Sequence, residues 1–169
     1  DAGESMSGTS TGGNDTISGD AGDDLIYGDS GSGMADFAVA GNDVIDGGTG
    51  DDTLYGDSPQ PGRDATGGSD TFLYACGAAF GDDAIRYPGW MSAVATIRFT
   101  GSTLNADLTM LDSISTVGDA GVDVLAVVFT DSSKTTVAGT ITLTGHGMTG
   151  IDSWQDIDDM GAIEVVVNP

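Results

Sequence analysis

The chain has 169 residues and a formal net charge of −23, from 27 acidic side chains against four Lys and Arg. That imbalance repels nucleic acid and anionic membranes, so neither is expected as a partner. A single cysteine, Cys76, excludes an internal disulfide framework, and no apolar run approaches the ~20 residues of a membrane-spanning helix.

Of the 27 acids, 25 are Asp. A merely solvated acidic face would mix Asp with Glu, whereas short Asp side chains suit tight turns and cation sites. The opening DAGESMSGTSTGG lacks a charged stretch followed by an apolar one, and reads as the start of a mature or excised chain. Glycine is concentrated early, with 17 of 28 before residue 75, and the texture changes near Tyr74.

In that first part, blocks align at a period of nine: GGNDTIS (12–18), GDAGDDLIY (19–27), AGNDVID (40–46), GGTGDDTLY (47–55) and GGSDTFL (67–73). The sixth position is always Asp: Asp15, Asp24, Asp43, Asp52 and Asp70. At the fourth stand Gly13, Gly22, Gly41, Gly50 and Gly68, and at the eighth the large apolar Ile17, Ile26, Ile45, Leu54 and Phe72. Gly28-Asp29-Ser30 and Gly56-Asp57-Ser58 open nonads that resume at residues 40 and 67, so 31–39 and 59–66 read as inserted loops. With two nonads per rung, both loops fall on the same edge of a coil, which a solenoid tolerates.

Stacking such rungs about 4.8 Å apart would align the position-six carboxylates into a ladder of like charges. Each neighbouring pair costs roughly 3 kcal/mol at an effective dielectric of about 20. A divalent cation reverses that sign, because Ca²⁺ takes 6–8 oxygen ligands from carboxylates and carbonyls together. Pairing nonads two apart places three interior sites at Asp15 with Asp43, Asp24 with Asp52, and Asp43 with Asp70. Carbonyls near the five position-four glycines would assist, and the position-two residues Asp20, Asp29 and Asp57 would add carboxylates. Asp23 and Asp51, at position five, are expected to face solvent.

The pattern G-G-x-G-x-D-x-U-x resembles the RTX, or haemolysin-type, calcium-binding nonapeptide repeat. The resemblance implies an all-β fold: a short parallel β-roll over 10–74, preceded by a flexible lead (1–9) and followed by a β-rich C-terminal cap (75–169). It further implies a type I-secreted bacterial protein, extracellular or at the cell surface, with an upstream domain that the roll stabilises once external Ca²⁺ folds it. Glu164-Val165-Val166-Val167 resembles the end of such a secretion signal, although Asn168-Pro169 extends past it; the alternative is an edge strand.

After Tyr74, GDDAI (81–85) echoes the repeat and could add one rung. ATIRFTG, VDVLAVVFT and GTITLTG read as strands, with a hairpin turn at Asp131-Ser132-Ser133-Lys134, and AIEVVV as a last strand. GIDSWQDIDDMG suggests one helical turn capped by Ser153, with Ile151, Trp154 and Ile157 inward; Trp154 and Trp90 read as packing residues. Catalytic constellations fail. GDSGS (28–32) resembles a serine-protease nucleophile segment, but the sole histidine, His146, follows it, and one histidine cannot form H-E-x-x-H. DIDDMGAIEVVV has Met160 and Val167 where an EF-hand loop needs oxygen ligands. The chain therefore reads as no enzyme. The alternative to a folding module is a Ca²⁺-rigidified adhesin, surface or polysaccharide-binding element, with Met34, Phe37 and Arg63 of the inserted loops as contacts.

Overall fold

The structure, a computed structural model, describes residues 6–75, 78–86, 95–100, 111–117, 123–129, 137–144 and 163–168. Expectations for Cys76, Trp90, the 131–134 turn, His146, Ser153 and the neighbouring Ile151, Trp154 and Ile157 lie outside them. The described residues contain strands and no helix, so no helix among them could cross a membrane.

Five strand triplets or short strands come from the nonads: β1 (Thr16–Ser18), β2 (Leu25–Tyr27), β3 (Val44–Asp46), β4 (Thr53–Tyr55) and β5 (Thr71–Ala75). Each follows a position-six Asp, as the repeat requires. A three-residue strand has no stability alone; these persist because parallel neighbours pair with them in register. β1, β3 and β5 stack in one sheet, and β2 and β4 in the other, so every second nonad is a neighbour.

The stack continues beyond the nonads. β6 (Gly81–Arg86) lies parallel to β4, so the echo at 81–85 is a further rung. β7 (Ala95–Thr100) then pairs with β5, and β5 itself runs across residue 74, where the sequence texture changes. β8 (Leu111–Val117), β9 (Asp123–Phe129) and β10 (Val137–Thr144) extend the second sheet, with β10 parallel to β6 and antiparallel to β9 as a hairpin requires. β11 (Ile163–Asn168) closes the first sheet as an edge strand parallel to β7.

Position eight points inward because side chains alternate along a strand. The facing columns are Ile17, Ile45, Phe72 and Ile97 on one sheet, and Ile26, Leu54, Ile85 and Leu143 on the other. Ile45, Phe72, Ile85 and Leu143 are fully buried, and Ile17 is only half-buried at the first rung. Position nine faces outward, where Tyr27 stacks on Tyr55 at 5.0 Å.

The inserted loops are ordered on the roll rather than hanging from it. Thr11, Val39 and Thr66 form successive parallel bridges, and Met6 bridges Met34. Met6, Met34, Ala38 and Ala40 pack into a small second core with Ala65 against it. Two expectations change accordingly. Met6 is anchored within the stretch read as a flexible lead, and Met34 is buried rather than available as a contact. Local sequence could not reveal this, because the loops gain their partners from each other and from residues 6–12.

Truncating Leu54, which is 1 % exposed, should cost about 2–5 kcal/mol in a Leu54→Ala variant. Leu25→Ala, at a 59 % exposed position of the same sheet, should stay within about 0.5 kcal/mol. Chemical denaturation in millimolar Ca²⁺ separates the two; equal losses would contradict the assigned inward face.

Candidate metal centre

Every turn delivers its position-six Asp to the same place, because the strand that follows is locked in register. The stacked carboxylates share one geometry. Oδ1 of Asp43 accepts the Asp15 amide at 2.8 Å, Oδ1 of Asp52 the Asp24 amide at 2.8 Å, and Oδ1 of Asp70 the Asp43 amide at 3.0 Å. The structure thus brings together all three sequence-predicted pairs. A fourth follows from β6, where Asp83 Oδ1 accepts the Asp52 amide at 2.9 Å. Asp83 was missed as a site residue although GDDAI carried the signal.

In Asp43, Asp52 and Asp70 one carboxylate oxygen is thereby used, and the other is not. The Oδ2 atoms of Asp24, Asp43, Asp52 and Asp70 are buried without a hydrogen-bond partner. An unpaired buried polar atom costs about 1–3 kcal/mol, more when charged. Its recurrence at one register position makes it a property of the repeat rather than of a single turn.

The glycines explain what these oxygens face. A methyl on Gly28 would be driven into Asp43 Oδ2 and the Gly56 carbonyl oxygen; one on Gly19 would meet the Gly47 carbonyl oxygen and lie 2.7 Å from Asp24 Oδ2. Gly47 and Gly56 stand likewise against the Oδ2 atoms of Asp52 and Asp70. Position-one glycine therefore leaves a cradle where a carboxylate oxygen and, on the first two, a carbonyl from the next stacked turn converge. Sequence reasoning expected assisting carbonyls near the position-four glycines and did not single out position one, though a Gly recurs there at 19, 28, 47 and 56.

Position four does a different job. Gly41 and Gly68 lie against the carbonyls of Gly13 and Gly41, and Gly50 against that of Gly22, so a Cβ would separate the turns. At position four, positive φ occurs on one edge, at Gly22 (124°), Gly50 (133°) and the equivalent Gly81 (108°). On the other edge close approach alone requires glycine.

The position-two residues divide. Asp29 and Asp57 are buried, Asp29 accepting the Gly41 amide at 3.0 Å and Asp57 the Gly68 amide at 2.7 Å, which ties off the base of each inserted loop. Asp20 does not join them. It is exposed at φ 67°, accepting the Ser18 hydroxyl at 3.0 Å, because no loop follows for it to close. Position five faces solvent as expected, yet it also forms a ladder: Asp23 Oδ1 accepts the Asp51 amide, and Asp51 Oδ1 the Asp82 amide, each at 3.0 Å. Asn14 and Asn42 repeat this on the opposite edge.

Burial and mutual repulsion push the carboxyl groups of Asp29, Asp43, Asp52, Asp57, Asp70 and Asp83 above the usual carboxylate range. Desolvation, reinforced by Asp57, Asp43 and Asp29, raises Asp70 to about 8. Desolvation likewise lifts Asp29 to about 7, Asp57 to about 6 and Asp83 to about 7, each partly offset by a backbone amide. Among the described residues no three His, Cys, Asp or Glu side chains form a cation-holding group by themselves. A cation held between these turns would draw on carbonyl oxygens as well, a mixed, hard-oxygen set that Ca²⁺ accepts.

A family profile, the RTX calcium-binding nonapeptide repeat, matches residues 9–34 and 37–58 in four copies. These segments are RTX calcium-binding repeats. They make this part of the chain a calcium-binding structural module, and the stack of rungs carries the same geometry past residue 58 to β5 and β6. No curated protein matches the chain.

Two outcomes follow for the RTX turns. Gly28→Ala should fill its cradle and raise the Ca²⁺ concentration at half-maximal β signal by at least about tenfold; an unchanged midpoint would remove that cradle from the site. Carboxyls raised above their unfolded value of 3.8 stabilise the metal-free fold most below that value, and the contribution is lost as pH rises through about 6–8. Metal-free chain should therefore gain β structure on acidification from pH 8 to 5, while apparent Ca²⁺ affinity should fall, since protons and metal compete. Circular dichroism in EDTA and in Ca²⁺ reads both signs.

Proposed function

We propose that the chain is a folding switch of a secreted bacterial protein: a module disordered at low Ca²⁺ that folds in extracellular Ca²⁺ and stabilises a neighbouring upstream domain. The supporting observation is the ladder of buried Oδ2 atoms aimed into glycine cradles. Without a cation this arrangement is a column of desolvated like charges; with one, metal binding becomes folding free energy. Affinity in the extracellular range of about 10⁻⁴–10⁻³ M suffices.

The proposed ligands are Asp15, Asp24, Asp43, Asp52 and Asp70 with Asp29, Asp57 and now Asp83, completed by turn carbonyls. They serve the three expected interior sites and a fourth between Asp52 and Asp83. In this reading residues 10–74 are the roll, the strands beyond are its cap, and the chain has no catalytic role. A second reading, a rigid surface-binding element, is favoured by Phe37, 63 % exposed, and Val39, 40 % exposed, on the same inserted loop.

Far-ultraviolet circular dichroism from EDTA into millimolar Ca²⁺, with Mg²⁺ as control, tests the switch. A cooperative gain of β signal with Ca²⁺ alone, absent in Asp24→Ala/Asp52→Ala, is the expected result. A chain equally folded in EDTA would end the switch and leave the surface element.

A further inference from the structure

The two edges of the roll differ in where they keep their charge. On the plain edge the fourth turn carries Asp51 and Asp52; on the insert-bearing edge the fifth carries Asp57 and Asp70 at repeat positions. The formal count in these turns is the same. On the plain edge, however, the carboxylates besides position six are exposed: Asp51 in the fourth turn, and Asp20 and Asp23 in the second. On the insert-bearing edge position five is neutral (Asn14, Asn42, Ser69), and the second carboxylate is the buried Asp29 or Asp57.

Burial decides the electrostatics. Asp29, Asp43, Asp57 and Asp70 are all at or below 3 % exposure. A charge acting through an effective dielectric of about 20 attracts a cation roughly four times as strongly as one acting through water. Asp29 and Asp57 also sit next in sequence to Gly28 and Gly56, whose cradles receive the unpartnered Oδ2 atoms of Asp43 and Asp70. Closing a loop requires only a neutral acceptor; a carboxylate there adds a buried charge that needs a cation.

We propose that Asp29 and Asp57 make the insert-bearing edge a separate, tighter class of calcium site than the plain edge, and that filling it orders the inserted lobe. The proposal rests on the calcium-module reading and adds an order of loading to it. The lobe is coupled because the same carboxylates hold Gly41 and Gly68, from which the chain leaves the loops. Those loops are held to one another by Ala40 amide to Thr66 carbonyl and Thr66 amide to Ala38 carbonyl bonds.

Calorimetric Ca²⁺ titration of the whole chain tests this, alongside hydrogen exchange at the Val39, Ala40 and Thr66 amides. Asp29→Asn/Asp57→Asn removes two charges and keeps an oxygen for the Gly41 and Gly68 amides, so it spares the loop closure. The expected result is two affinity classes in the parent chain, with the tighter weakened at least about tenfold in the variant and the weaker unchanged. Protection of the three amides should shift to higher Ca²⁺ with it, while Asp20→Asn, at the exposed position two, leaves both classes intact. A parent chain that binds Ca²⁺ and folds with one class, or a double variant that binds as the parent does, overturns this inference and leaves the module reading standing. A parent chain that binds no Ca²⁺ overturns both.

Discussion

Repulsion between stacked carboxylates is the constraint on which the rest of this fold depends. Parallel pairing places Asp15, Asp43 and Asp70 on one edge and Asp24, Asp52 and Asp83 on the other, with Oδ1 of Asp43, Asp70, Asp52 and Asp83 each accepting the amide of the preceding Asp in its stack. That bond fixes the register and directs the second oxygen into the turn. The same contact therefore orders the backbone and gathers the like charges that a cation would offset.

Glycine divides its work in response. Position one vacates the space into which Oδ2 and the next carbonyl converge, and position four lets successive turns approach. The position-five side chains stitch the turns from outside, each taking the amide of the turn above, whereas the position-six oxygens take the amide of the turn below. The two ladders run in opposite senses along the stack and hold each turn from both directions. Within the described residues this leaves the apolar columns, Ile45 with Phe72 and Leu54 with Ile85, to set the spacing of the two sheets.

The inserts are the principal departure from a uniform roll. They lengthen one edge only, stack on each other and enclose their own apolar cluster around Met34 and Ala38. Asp29 and Asp57, at their bases, link that lobe to the charged interior of the turns. A loop of this kind has one face on the lobe's apolar cluster and one in solvent, which is why the exposed Phe37 can share a loop with the buried Ala38.

Periodicity alone determined the nonad register, the inward column from Ile17 to Phe72, the three Asp pairs and the edge on which both inserts fall, because a repeat stacked on itself has few registers that bury position eight. The rung at 81–85 was faintly legible, its glycines reduced to Gly81 while Asp83 kept its place. Tertiary structure decided the rest. Asp20 and Asp29 share a repeat position, but only Asp29 has a loop to close and becomes buried. Met34 looked like a loop-tip contact until Met6 and Ala38 packed against it. The role of Gly28 likewise depends on Asp43 Oδ2 and the Gly56 carbonyl, atoms 15 and 28 residues away. Local sequence reports a residue's type and period; what fills the space beside it is set by turns that meet only when the chain is coiled.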